Sequence, residues 1–294
     1  MRFELLATLM VVVSVAPAFG TSVNLGNADV FGMIGGTISN TGLSTVAGDV
    51  GATITISGFP PGTASGTVYT APNSPSTPVG MAYTDFETAL TTAAGDVPTN
   101  TACLTAMTPC LTTSQTFLGG GVYAFPNSVT TSTAGITLTF DAENLSNQVF
   151  IMQFPQALTI DGPITFNLLG GAQASNIYWI VGSVAIPAAM TISPTDVPIT
   201  WDGDILAGTF TMSANTGGSG VLAGTINGCV LTVNANTLAG YTIINGCNAT
   251  GEELPEPGSL GLVTLGAMLG AFGLRRLRLR PSSGPRKRDP QQVL

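Results

Sequence analysis

Between residues 205 and 240 the chain repeats one short text. Leu206-Ala-Gly-Thr209 leads to Thr211-Met-Ser-Ala-Asn-Thr216, and Leu222-Ala-Gly-Thr225 leads to Thr232-Val-Asn-Ala-Asn-Thr237, so the second half recurs after 21 residues. The side chains able to do chemistry here are hydroxyls and amides: Thr209, Thr211, Ser213 and Thr216 in one copy, Thr225, Thr232, Asn234 and Thr237 in the other. Their chemistry is hydrogen bonding without ionisation, and the stretch that carries them holds no charge. Acid–base chemistry would have to come from carboxylates instead, Asp202 and Asp204 beside Trp201 or Asp141 with Glu143, as an acid and a base with Trp as a sugar platform. The alternative for Trp201-Asp-Gly-Asp204 is a tight turn with the indole in the core.

Short alternating runs punctuated by Gly and Asn, with a period near 20, are the signature of solenoid coils. In a strand alternate side chains share a face, so Thr209, Thr211 and Ser213 are expected to point one way and Phe210 and Met212 the other. The same phase sets Thr232 and Asn234 opposite Val233. Stacked coils then bury the apolar set and leave a file of small polar side chains outside. Such files also serve simply to build turns and satisfy backbone groups.

Charge narrows the function classes further. Of the 294 residues only 8% are charged, and 37 Gly and 41 Thr dominate. Every Lys and Arg lies at Arg2 or from Arg275 onward, there is no His, and 14 carboxylates stand between Asp29 and Glu256. A body without cations cannot neutralise phosphates, which excludes nucleic-acid binding and phosphoryl transfer. Lacking His and Lys, it has no Ser-His-Asp triad, no Schiff base and no histidine metal site. No cofactor is expected, and calcium would be no more than a structural addition, since no recognisable loop spacing is present.

Both ends read as processing signals. Arg2, the apolar run 5–15 and Ala16-Pro-Ala18-Phe-Gly20 follow the order of a secretory signal, residues 1–20. At the other end, Pro255-Glu256-Pro257 precedes 17 uncharged residues, 258–274, and then Arg275, Arg276, Arg278 and Arg280. A helix of that length spans roughly 26 Å, enough for a hydrocarbon core of about 30 Å with snorkelling arginines, and the basic tail 281–294 stays cytoplasmic. This three-part order, residues 254–280, resembles the PEP-CTERM sorting signal of Gram-negative bacteria. The resemblance implies an exosortase-type processing enzyme as partner, transient membrane anchoring through 258–274, and display on the cell surface or in extracellular polysaccharide. Cysteine usage agrees with export: of three pairings, the two sequence-local ones, Cys103 with Cys110 and Cys229 with Cys247, are expected over a zinc site, because no C-x2-C spacing exists.

The body, 21–253, reads as short strands with Gly-rich corners at 23–68, 118–125, 136–140, 149–154, 158–160, 164–168, 177–181 and 241–244, with an irregular Pro-rich stretch at 184–198. One helix interrupts it at about 81–95, where Ala82, Phe86, Ala89, Leu90 and Ala93 fall at helical spacing. A Thr-rich cap loop is expected over about 96–117.

An ordered set of text along this body resembles the type-1 ice-binding proteins of bacteria, fungi and microalgae. It runs from Asn24-Leu-Gly with Phe31, through Thr37-Ile-Ser-Asn-Thr-Gly42, Gly48-Asp-Val-Gly51, Gly58-Phe-Pro-Pro-Gly-Thr63 and Ala82-Tyr83, to Gly121-Val-Tyr123, Val149-Phe-Ile-Met-Gln153, Gly171-Ala-Gln173 and Asn176-Ile-Tyr-Trp-Ile-Val-Gly182. The resemblance implies an all-β solenoid, a discontinuous right-handed β-helix of triangular section with one α-helix packed alongside, and one flat face that engages ice, without catalysis. Thr suits such a face: its branched Cβ restricts χ1, its methyl shuns water and its hydroxyl anchors a bridging water. The expected contacts are the repeat residues together with Thr37, Ser39, Thr53 and Thr55. A surface or matrix adhesion protein of the same fold is the alternative reading.

Overall fold

The computed structural model describes residues 22–69, 74–100, 111–145, 147–193, 198–213 and 224–247. The expected signal, sorting segment and tail lie outside the described residues, as do Cys103, Cys110 and Thr216. Strands β1 (Phe31–Asn40), β2 (Thr45–Val46), β3 (Asp49–Ser57), β4 (Thr63–Ala64) and β5 (Val68–Tyr69) precede helix α1 (Pro78–Gly95). After it come β6 (Gln115–Leu118), β7 (Gly121–Ala124), β8 (Val129–Thr130), β9 (Ile136–Asp141), β10 (Phe150–Phe154), β11 (Leu158–Ile160), β12 (Ile164–Leu169) and β13 (Ile177–Val181). The last are β14 (Ala189–Ile192), β15 (Thr200–Asp202), β16 (Asp204–Met212), β17 (Thr225–Gly228), β18 (Val230–Leu238) and β19 (Thr242–Asn245). The strand β6 begins inside the stretch expected to be cap loop, and β14 lies inside the stretch expected to be irregular.

Every ladder between these strands is parallel, because each strand pairs with the strand in the same position one coil earlier or later. The first sheet runs β5-β3-β1-β18-β16-β13-β10-β7, with β14, β11 and β8 continuing from the C-terminal half of β16. Two smaller sheets, β12-β9-β6 and β15-β17-β19-β2-β4, complete the coils. Chain order is broken once: β1 pairs with β18 on one side and β3 on the other, so the N-terminal coils stack on the C-terminal ones. The fold is β-helix-like.

The long strands β1, β3, β16 and β18 each have two halves, and burial tells them apart. Residues 177–181, paired with the N-terminal half of β16, and 150–154, paired with them in turn, are buried throughout, since one side faces the interior and the other faces α1. A doubly covered parallel sheet demands such continuous apolar runs. The C-terminal halves alternate, as in β16, where Phe210 and Met212 are buried and Thr209 and Thr211 are half-exposed. A register shift separates the halves: Gly208 opposes both Val233 and Asn234, and Gly36 opposes both Thr53 and Ile54.

Inside the coils Phe117, Phe140, Phe150, Phe154, Trp179 and Trp201 pack together, with Trp179 and Trp201 at 4.5 Å between ring centres. Helix α1 starts at Thr77, whose side chain accepts from the Gly80 amide, and at Pro78, whose missing donor costs nothing there. Its stripe of Val79, Ala82, Phe86, Ala89, Leu90 and Ala93 is buried against the first sheet, the expected helical spacing extended by one turn at the N-terminus. At the other end the Gln153 amide donates to the Ala93 and Asp96 carbonyls, closing the helix from the sheet. The Cys229–Cys247 disulfide is present and ties β19 to the start of β18.

Candidate functional site

The C-terminal half of the first sheet presents two outward files. Register places Ser57, Ser39, Thr237, Thr211, Thr191, Thr159 and Thr130 side by side on successive strands. Two residues earlier on the same strands a second file runs Thr55, Thr37, Ala235, Thr209, Ala189. Parallel strands stand about 4.8 Å apart and rise about 3.3 Å per residue, so the seven-rung file is roughly 29 Å long and its neighbour lies about 6.6 Å away. Beneath them Ile38, Asn236, Phe210, Met190 and Leu158 are buried, as are Leu238, Met212, Ile192 and Ile160. β-Branched side chains on a packed floor have little freedom to lose, so the array holds its spacing before any partner arrives.

What these hydroxyls do is shown by contrast with the helix. On α1, Thr84, Thr88, Thr91 and Thr92 each donate to the carbonyl four residues back, which turns the hydroxyl inward. Among the described residues, the hydroxyls of Thr37, Ser39, Thr55, Thr130, Thr159, Thr191, Thr209, Thr211 and Thr237 make no hydrogen bond to protein and are left to water. Ser57 donates only at 3.4 Å, to the Ile38 carbonyl. No charge lies within either file, so the hydration of the surface is set by hydroxyls and methyls.

The carboxylates lie elsewhere. Asp204 is fully buried, its Oδ1 accepts from the Cys229 amide, and its Oδ2 has no partner; burial holds its pKa well above the carboxylate range. Burial also raises Asp202, partly offset by the Asn227 amide that donates to it. Trp201 is in the core, and Asp141 accepts from the Glu143 amide in a local turn. Asp204 and Trp201 are thus closed to a substrate. Among the described residues no cluster of three or more His, Cys, Asp or Glu side chains could hold a metal.

With this geometry established, comparison decides the family. The Ice-binding-like family model matches residues 33–244. The chain belongs to the ice-binding-like family. No curated protein matches the sequence. Among solved structures, this ice-binding-like chain is similar to an ice-binding protein from the Antarctic ascomycete Antarctomyces psychrotrophicus, with 26% identity, 79% of this chain and 100% of that one covered, and a TM-score of 0.62. It is also similar to an ice-binding protein from an Antarctic biological consortium, at 25% identity, 79% and 95% coverage and a TM-score of 0.60. A glycosylated ice-binding protein from an Arctic yeast shares the fold at 22% identity, 81% and 98% coverage and a TM-score of 0.59.

The residues expected to act in this ice-binding-like protein fall into four places. Thr37, Ser39, Thr55, Thr209, Thr211 and Thr237 are in the two files, and Ser213 sits at the end of β16 with its hydroxyl 2.8 Å from that of Ser193. Thr53 and Asn234 sit at the register shift between the halves, beside the files. Thr225 belongs to another sheet, between Thr200 and Thr242. Thr232 is a correction: it is fully buried, pairs with Ala207 and points at the Ile34 carbonyl beside Asn236. Thr232 lies before the bulge, in the half covered on both sides, and Thr237 stands next to Thr211; the pairing offset is 25 residues before the bulge and 26 after it, so the 21-residue textual repeat is not the structural one. Sequence reading missed Ser57, Thr130, Thr159 and Thr191: Thr130 and Thr191 sit in alternations too short to stand out, such as Ala189-Met-Thr-Ile192, whereas Ser57 and Thr159 lie in expected strands whose place beside the repeat only the register shows.

Proposed function

We propose that this protein adsorbs to ice through the two hydroxyl files of the first sheet and thereby restrains ice growth or recrystallisation. The observation that carries the proposal is the seven-rung file in unbroken register on a rigid, uncharged floor, in a chain of the ice-binding-like family. An ice surface offers water oxygens on a fixed lattice, and a partner that orders water at a fixed spacing meets it without a large entropic cost. Charged groups would keep their own hydration shells, and the files have none.

In this reading the coils form a discontinuous right-handed β-helix of triangular section, of the type-1 kind, with the files on one flat side; the β1–β18 pairing supports the discontinuity. The surface carries no catalysis. Residues 1–20 act as the export signal, 21–253 are the working body, and 254–280 form the PEP-CTERM segment cut by an exosortase-type enzyme in a Gram-negative cell. The membrane contact through 258–274 is then transient, and extracellular polysaccharide is a neighbour. Among the described residues no helix is long and apolar enough to cross a membrane, and 258–274 lie outside them.

Thermal hysteresis of the purified chain tests the proposal. A gap between melting and freezing points, with faceted crystals inside it, is expected. No gap together with no inhibition of recrystallisation would leave the adhesive or matrix role as the better account.

A further inference from the structure

The sheet β15-β17-β19-β2-β4 carries a third file that the first sheet's role does not use. Thr63, Thr45, Thr242, Thr225 and Thr200 occupy one register position on five successive strands, so every rung presents the same side chain. Thr45, Thr63 and Thr200 are exposed, and Thr225 and Thr242 are half-exposed. The residues next along the strands, Val46, Ile243, Ile226 and Trp201, are buried in the core and give the file a packed floor.

Three observations separate this file from a structural ladder. First, none of the five hydroxyls is hydrogen-bonded to protein among the described residues, whereas the four helix threonines all are. Second, polar side chains two to three residues further along these strands are satisfied by one another: the Asn245 amide donates to Asn227 at 2.6 Å, and the Asn227 amide donates to Asp202 at 2.9 Å. The strands β15, β17 and β19 are therefore clamped by these amides, leaving the Thr file free to meet water. Third, the file repeats the chemistry of the first sheet's surface at the same rung spacing of about 4.8 Å, with identical β-branched hydroxyls and no cation nearby.

We infer that the Thr63–Thr45–Thr242–Thr225–Thr200 file is a second ice-contact site, on a different sheet from the first, through which the molecule adsorbs to a second set of crystal planes. The inference rests on the proposed ice binding. A molecule with two such surfaces in different sheets meets a crystal in two orientations and covers planes that one surface alone leaves growing. Its partner is frozen water and no other class of ligand: a five-rung hydroxyl file without cations or aromatic platforms has nothing with which to hold phosphate or stack a sugar.

Fluorescently labelled chain adsorbed to a single-crystal ice hemisphere gives the test, with Thr45→Tyr/Thr200→Tyr for this file and Thr211→Tyr for the first. Both Thr45 and Thr200 are exposed, and Thr63→Tyr alone gives a second, milder variant at the end of the file. The parent is expected to label two sets of planes. Thr45→Tyr/Thr200→Tyr is expected to lose one set and keep the other, Thr63→Tyr to weaken the same set, and Thr211→Tyr to lose the complementary set. An unchanged pattern in the Thr45→Tyr/Thr200→Tyr protein, or loss of all labelling in Thr211→Tyr, overturns the second site while the first stands. A parent that labels no plane overturns both.

Discussion

The pair Thr211→Tyr and Thr232→Tyr separates surface from core with one substitution type. The two residues occupy equivalent places in the textual repeat, yet Thr211 faces outward between Thr191 and Thr237, and Thr232 is fully buried against the Ile34 carbonyl. A phenol on Thr211 stands clear of its neighbours' methyls and holds a flat lattice off the adjacent rungs, about 4.8 Å away on either side. It touches no core atom, so the cost in stability stays within about 0.5 kcal/mol, a shift of roughly 2 °C or less. At Thr232 the same ring has to displace Asn236 and the bulge around Gly35, where even a glycine Cβ would lie 2.9 Å from the Thr232 hydroxyl. Overpacking of that kind costs about 2–3 kcal/mol, or roughly 4–12 °C in a domain of this size. Scanning calorimetry with nanolitre osmometry reads both quantities. Thr211→Tyr is expected to lose most of the thermal hysteresis and melt like the parent, and Thr232→Tyr to melt early and keep activity below its transition. Full hysteresis in Thr211→Tyr, or a parental melting temperature in Thr232→Tyr, would refute the assignment.

Three further outcomes follow from the same structure. Removing the Cys229–Cys247 bridge, which spans 18 residues, frees unfolded-chain entropy worth about 3 kcal/mol; Cys229→Ser/Cys247→Ser should lower the urea midpoint accordingly with little change in slope. Burial raises the folded pKa of Asp204, so the folded state retains a proton that the unfolded state gives up near pH 4. Stability is then fully present below that pH and declines as pH rises toward the folded value, by up to about 1.4 kcal/mol per unit. Asp202, Glu87 and Asp96 are raised in the same direction by burial. Urea midpoints should therefore fall as pH rises above about 4, and Asp204→Asn should flatten that fall; a midpoint rising with pH over that range would contradict the sign. Gln153→Ala leaves the Ala93 and Asp96 carbonyls without their donor and should cost about 1–3 kcal/mol, with hydrogen exchange accelerating first in the last turn of α1.

Sequence alone disclosed the strands wherever burial imposes a period: the helix stripe from Ala82 to Ala93, the continuous runs of β10 and β13, and the alternation of β16 all follow from which sides are covered. The phase between distant strands did not show, because it depends on the register shift at Gly208 and Gly36, which slips one strand past its neighbour without leaving a mark in composition. Thr232 falls in the doubly covered half, opposite Ala207, and Thr237 in the half with an open side, opposite Thr211. The two-residue strand β8 did not show for a related reason: Val129-Thr130 is a strand only because a neighbouring coil pairs with it. The buried carboxylate at Asp204 likewise gave no sign in a string where Trp201-Asp-Gly-Asp204 reads equally well as a turn.

Partition of the chain into slowly growing ice tests the central claim most directly. A dilute solution frozen onto a cold finger, with an inert protein of similar size and charge as internal reference, reports the fraction taken up by the ice. Enrichment of this chain in the ice, reduced by Thr211→Tyr/Thr159→Tyr and lost when Thr45→Tyr/Thr200→Tyr is added, is the predicted result. Exclusion of the parent into the remaining liquid, alongside the reference protein, would contradict the account.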